Sequence, residues 1–155
     1  MKFFIILVTL VALTAAKYEL KSREEWFNIQ DYCDERFKVS PEFREKHKDD
    51  KYVPKEIFRT ILCYLRGLEL WNDSEGFSID KLMVGLESVK DNIKNYNAVI
   101  LRQSLAQCTS DKNTEGIAPF DWAYRCFKCF TDNRYIMEAF KVATFYKEDK
   151  KDADE

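Results

Sequence analysis

The residues of this sequence best suited to covalent chemistry are its cysteines, of which there are five. In an exported chain of this size, five cysteines predict disulfides with one thiol left over. Cys126 and Cys129 also form a C-x-x-C motif. A redox motif needs its first cysteine at a helix N-terminus, typically after a strand, and a zinc site needs a second cysteine pair or two histidines. Because neither context is present, we predict structural disulfides and no metal site.

The other reactive side chains form no pattern that is typical of an enzyme. The only histidine, His47, lies among charged neighbours between Arg44 and Lys48, which indicates a solvated helix face. The sequence has no Gly-rich phosphate loop and no H-E-x-x-H motif. Its formal net charge is −2 and its lysines are scattered, which argues against a nucleic-acid partner. We therefore predict a protein that is not an enzyme, needs no cofactor and binds no nucleic acid.

The two ends of the chain differ in composition from the part between them. Residues 1–16 combine Lys2, the short apolar run Phe3–Val8 and a small-residue end, which is typical of a secretory signal peptide. That run is too short to span a bilayer, so we predict a secreted, extracellular protein without membrane insertion. Residues 17–147 are predicted to form one domain and the charged residues 148–155 a disordered tail. In a secreted chain, the N-x-S sequon at Asn72 is a candidate glycosylation site.

A helix pattern with one wholly apolar face begins at Pro119. Proline suits the first position of a helix, because its missing N–H would have had no partner there. Two interpretations of the apolar face that follows stay open: it packs in the core, or the small side chain of Ala123 leaves a gap for an apolar ligand. The face is formed by Phe120, Ala123, Phe127 and Phe130.

Helical periodicity continues through most of the chain, and alternating strand patterns are absent, which predicts an all-α fold. The clearest helix start is Ser22, where the hydroxyl and the carboxylate of Glu25 have the spacing of a capping box. The segment Trp71–Gly76 is predicted to be a loop, and the last helix is predicted to continue to Lys147. The predicted helices begin at Ser22, Ser40, Pro54, Ser78, Lys94, Pro119 and Asn133.

The cysteine spacing resembles that of insect odorant-binding proteins of the pheromone-binding and general-odorant-binding family. That family has six cysteines, with three residues between the second and third and eight between the fifth and sixth. Here Gly67 stands four positions after Cys63, where the third cysteine would be, and Phe120 stands nine positions before Cys129, where the fifth would be. The Trp-Ala-Tyr-Arg run from Trp122 is also similar to family members that have lost cysteines.

The resemblance implies six or seven helices around a buried apolar cavity, stapled by disulfides. It also implies that the first cysteine pairs with the third, the second with the fifth and the fourth with the sixth. Only the last of these bonds, Cys108–Cys129, keeps both partners here. Cys33 and Cys63 have each lost the family's partner. Because Cys63 lies one helical turn before Gly67, we predict a substitute Cys33–Cys63 bond, with Cys126 outside both bonds. Pairing of Cys63 with Cys126 is the alternative.

The resemblance further implies a carrier of small hydrophobic molecules such as odorants, fatty acids or similar lipids. The alternative is a secreted salivary or haemolymph interaction protein that acts through its surface on a protein partner. The sequence does not identify a receptor or other protein partner. Residues on inward helix faces are the candidate cavity lining, with ordinary core packing as the competing interpretation of each. These candidates are Leu62, Leu65, Leu82, Leu86, Ala123, Phe127, Phe130 and Phe140.

Overall fold

The computed structural model describes residues 17–110 and 116–147. The predicted signal peptide, the predicted charged tail and part of the loop before the central helix lie outside these residues. Within them the chain is mostly helical, which confirms the all-α prediction. The elements are α1 (Arg23–Arg36), α2 (Pro41–Lys46), α3 (Lys55–Gly67), β1 (Trp71–Asn72), β2 (Gly76–Phe77), α4 (Ile79–Ser88), a 3₁₀ turn (Lys90–Asn92), α5 (Ala98–Thr109), α6 (Pro119–Asp132) and α7 (Arg134–Phe140).

The helices begin where the polar caps predicted them. The Ser22 hydroxyl accepts a hydrogen bond from the Glu25 backbone N–H, and the Glu25 carboxylate accepts one from the Ser22 backbone N–H. Each bond satisfies an N–H group that the helix itself leaves without a partner. The Ser40 side chain caps α2, whose first residue is Pro41. The Ser78 side chain caps α4 by accepting a hydrogen bond from the Lys81 backbone N–H. Local side-chain chemistry therefore sets the starts of three of the helices.

Helix α6 lies at the centre of the fold and packs against α3, α5, α7 and β2. Its most buried side chains are Ala123, Cys126 and Phe130, so the inward stripe includes a cysteine as well as members of the predicted apolar face. On one side, Phe120 and Phe127 pack around the fully buried ring of Phe58. The Phe58–Phe120 contact is edge to face, a geometry that stabilises aromatic pairs beyond their burial.

The fifth helix begins later than predicted, at Ala98 rather than Lys94. The Asn97 side chain caps it by accepting hydrogen bonds from the backbone N–H groups of Val99 and Ile100.

Two further predicted boundaries are wrong. The last helix ends at Phe140 rather than Lys147, and the chain then runs back along the start of the domain, where Lys21 and Tyr146 form a parallel β-bridge. The predicted loop Trp71–Gly76 contains a short antiparallel β-ribbon that pairs Trp71 with Phe77. Both segments gain tertiary contacts that local pattern does not encode.

Two disulfides connect the helices of the described part of the chain. Cys33 of α1 is bonded to Cys63 of α3, and Cys108 of α5 is bonded to Cys129 of α6. Cys126 is in neither bond and is buried in the core. The first bond therefore ties α1 to α3, and the second ties α5 to the central helix.

An ionic cluster connects the start of the domain to α3 and α4. The Glu69 carboxylate accepts hydrogen bonds from Lys21 (2.8 Å) and from Lys81 (3.1 Å). These two hydrogen bonds lower the pKa of Glu69 from its ordinary value of 4.5, and the bond from Lys21 has the larger effect. The residue has a left-handed backbone with φ of 59°, a conformation that favours glycine.

The substitution Glu69→Gln is expected to lower the free energy of unfolding at pH 7 by only ~0.5 kcal/mol, because the cluster is solvent-exposed. Because the folded protein lowers this pKa, the carboxylate stabilises the fold above pH 4.5 and loses its effect as the pH falls through the lowered value. Urea unfolding at several pH values tests this, with Glu75→Gln as the exposed control. A difference from wild type that persists in strong acid would contradict an ionic origin.

Candidate ligand cavity

An apolar pocket of about 190 Å³ lies between α1, α3 and the C-terminal segment. Side chains of α1 form one wall of the pocket, and side chains of α3 form the opposite wall. The chain after α7 forms the third wall. Its apolar walls suit a small hydrophobic molecule. The lining residues are Trp26, Ile29, Gln30, Ile61, Tyr64, Leu65, Leu68 and Phe145.

The third wall depends on how the C-terminal segment is held. The Lys147 backbone N–H donates to the Lys21 carbonyl at 2.7 Å, and the Lys147 ammonium group donates to Glu19 at 2.6 Å. Phe145 packs directly on Gly85 of α4, where a Cβ atom would lie 2.3 Å from the phenyl ring. Only glycine therefore lets the ring approach the helix this closely.

Two hydroxyl groups beside the pocket bond to the protein itself. The Tyr64 hydroxyl donates to Asp34 at 2.5 Å, and burial, reinforced by this bond, raises the pKa of Tyr64. The Tyr18 hydroxyl donates to the Leu68 carbonyl at 2.9 Å. Because these groups are satisfied at the rim, the interior of the pocket presents mainly hydrocarbon and aromatic surface.

The structure distributes the eight predicted lining residues between core and pocket. Leu65 lines the apolar pocket. Phe127 and Phe140 are partly buried and pack against the core. The other five are buried inside the core cluster, with at most 2% of each residue exposed: Leu62, Leu82, Leu86, Ala123 and Phe130.

The sequence did not indicate Phe145 as a lining residue, because the last helix was predicted to continue past it to Lys147. The residues after Phe140 are Lys-Val-Ala-Thr-Phe-Tyr, and this β-branched and aromatic content is a signal for an extended segment. Trp26 and Ile29 are three positions apart and therefore lie on one face of the first helix. Helical periodicity indicates that both side chains point inward, but it does not show that an open pocket lies beside them.

A second, larger pocket of about 700 Å³ lies on the other side of Ile29. It is a groove between α1 and α3, and the Cys33–Cys63 disulfide lines it. Ile29 lines both the groove and the apolar pocket, and its side chain packs on Gly67, where a Cβ atom would lie 2.5 Å from it. One isoleucine therefore separates the two spaces.

The described residues hold no other arrangement that suggests chemistry. No group of three or more metal-ligating side chains is present in them, and none of their helices is long and apolar enough to cross a membrane. His47 bonds to Asp50 at 2.7 Å and packs on Phe43. Asn72 is exposed, and its side-chain oxygen accepts hydrogen bonds from the backbone N–H and the hydroxyl of Ser74.

Comparison with known proteins agrees with this fold. The sequence model of the PBP/GOBP protein family matches residues 15–133 of this chain. The chain belongs to this family. It is 29% identical over 137 residues to Odorant-binding protein 22 of Aedes aegypti, an alignment that covers 86% of this chain and 91% of the relative. It is 28% identical over 130 residues to General odorant-binding protein 99a of Drosophila melanogaster, covering 83% of this chain and 88% of the relative.

Membership of the PBP/GOBP family confirms the predicted class of protein. The family and these relatives are odorant-binding carriers rather than enzymes, and they support a small-ligand carrier role in general. The disulfides of the described residues join Cys33 to Cys63 and Cys108 to Cys129.

Proposed function

We propose that this protein is a secreted carrier that holds one small hydrophobic molecule inside its helical domain, in the pocket beside Leu65 and Phe145. A long-chain fatty acid or a similar lipid is the ligand class. The observation that carries the proposal is the apolar pocket between α1, α3 and the C-terminal segment in a chain of this family. Transfer of apolar ligand surface out of water, at roughly 25 cal/mol per Å², supplies the driving force.

The pocket must enlarge before it holds such a ligand. Its volume is about 190 Å³. Pockets for drug-sized molecules measure roughly 300–1,000 Å³. The C-terminal segment is the wall that moves at the lowest cost, because its outer end is attached through an exposed ion pair between Lys147 and Glu19 and a β-bridge at Lys21. Elements held by few buried contacts open first.

Export is part of the same proposal. Residues 1–16 direct the chain to the secretory pathway and are removed, which leaves a domain that works in an extracellular fluid. The two disulfides of the described domain support this assignment, because such bonds persist in oxidising compartments.

The substitution Leu65→Gln is expected to weaken binding of aminoanthracene, a neutral apolar fluorophore, by about tenfold, because it buries an amide beside the ligand without a partner. Fluorescence titration measures this. The matched control is Val99→Gln at a side chain that is 65% exposed, and it should leave the affinity unchanged. Wild-type protein that takes up no fluorophore, or two variants that behave alike, would overturn the proposed site.

A further inference from the structure

The groove between α1 and α3 carries an unbalanced positive charge at one end. The Arg36 guanidinium lies over the rings of Tyr32 (5.9 Å) and Phe37 (5.6 Å), and it donates to the Tyr32 hydroxyl at 2.5 Å. No carboxylate of the described residues is within ion-pair distance of it. Its neighbour Asp34 is turned towards Tyr64 and Arg44 instead.

The other charges that line the groove neutralise each other. Arg66 donates to one carboxylate oxygen of Asp73 through Nε (3.0 Å) and Nη2 (2.8 Å). The Trp71 indole N–H donates to the same oxygen at 2.7 Å. Burial alone would raise the pKa of Asp73, but these hydrogen bonds lower it, so the carboxylate stays ionised and paired. Arg36 is therefore the cation of the groove that is open to an incoming anion.

The floor between the two ends is apolar and has little side-chain bulk. It consists of Ile29, the Cys33–Cys63 disulfide and Gly67, which presents no side chain to the groove. The volume of about 700 Å³ falls within the range of roughly 300–1,000 Å³ that is typical of small-molecule sites. A molecule that fits this surface has an anionic end for Arg36 and a hydrocarbon part for the floor.

We propose that the α1–α3 groove is a second binding site, separate from the interior pocket, for the carboxylate end of an anionic amphiphile. The Arg36 guanidinium, whose carbon lies over the rings of Tyr32 and Phe37, donates hydrogen bonds to the carboxylate, and its planar fork suits two-point recognition. The hydrocarbon part lies along Ile29 and the disulfide. Neutral apolar molecules have no reason to prefer this groove, so the groove requires a charged end on its ligand, whereas the interior pocket requires only a hydrocarbon part.

Decanoate and decanol, which share a hydrocarbon chain and differ in charge, test the site on the complete mature chain. Amide NMR titration of isotope-labelled protein at neutral pH should show decanoate shifting the resonances of Cys33, Phe37 and Gly67, which line the groove but not the interior pocket. The substitution Arg36→Gln should weaken this decanoate binding by about three- to fivefold, as expected for an exposed ion pair. The same substitution should leave decanol binding unchanged, and Arg36→Lys should recover part of the loss.

The matched control is Arg23→Gln, because Arg23 also lies over an aromatic ring of α1, that of Phe27 at 5.6 Å, but outside the groove. It should not change decanoate binding. The proposal is overturned if decanoate leaves the groove resonances unshifted, or if Arg36→Gln and Arg23→Gln have the same effect. Failure of the proposed interior carrier function would be seen separately, because neither decanol nor aminoanthracene would then bind.

Discussion

Removal of the Cys33–Cys63 disulfide by the double substitution Cys33→Ala and Cys63→Ala is expected to lower the free energy of unfolding by about 3–4 kcal/mol. The bond joins residues 30 positions apart, and a loop of this length restricts the unfolded chain by that amount. It also ties α1, which carries Trp26 and Ile29, to α3. We therefore expect aminoanthracene binding to weaken as well. Urea unfolding and fluorophore titration measure the two effects.

The other disulfide provides the matched control. Removing Cys108–Cys129, whose partners are 21 positions apart, should cost a similar ~3 kcal/mol. That bond connects α5 and α6 and lines neither the apolar pocket nor the groove. Its loss should leave fluorophore affinity nearly unchanged under conditions where the protein remains folded. Equal losses of affinity in both double variants would contradict the placement of the binding site between α1 and α3.

The substitution Phe130→Ala is expected to destabilise the protein by about 3–5 kcal/mol, the range for removing a large buried aromatic side chain. Phe130 is only 1% exposed, and its ring contacts Phe77 and Phe140 edge to face, at 5.0 and 5.7 Å between ring centroids. Its loss leaves a cavity where α6 meets the β-ribbon and α7. Chemical denaturation in urea measures the change.

Phe27→Ala is the control, because Phe27 is 44% exposed. This substitution should lower the free energy of unfolding by less than about 1 kcal/mol. Phe130→Ala should also leave the walls between α1 and α3 in place. A small loss of stability in Phe130→Ala, comparable with that of Phe27→Ala, would show that α6 is not the centre of the core.

Features encoded by local chemistry could be predicted from the sequence. The capping box at Ser22 and the proline that begins α6 are short-range signals, and both helices start there. In both cases the residues that decide the helix start are within about one helical turn of one another. The Cys33–Cys63 pairing is different, because it was predicted from the family resemblance, and the single turn between Cys63 and Gly67 only made it geometrically reasonable.

Features decided by distant contacts could not be predicted in this way. Phe145 leaves the helical pattern because its ring packs on Gly85, about sixty positions earlier, where only glycine gives it room. The ribbon at Trp71 depends on Gly76, whose φ is 82° and whose backbone lies against the indole of Trp122. Periodicity identifies inward faces, as it did for Leu62 and Leu86, but it does not show whether a face meets packed atoms or an open space.

Native mass spectrometry of the protein recovered from its own secretion tests the carrier function most directly. We expect the mature chain to begin after residue 16, to contain two disulfides and to carry one equivalent of a small hydrophobic molecule that denaturation releases. The released molecule, or aminoanthracene in its place, should rebind to the emptied protein. Protein that is recovered empty and takes up neither lipid nor fluorophore, but holds a stoichiometric protein partner, would contradict the carrier function and support a surface-acting interaction protein.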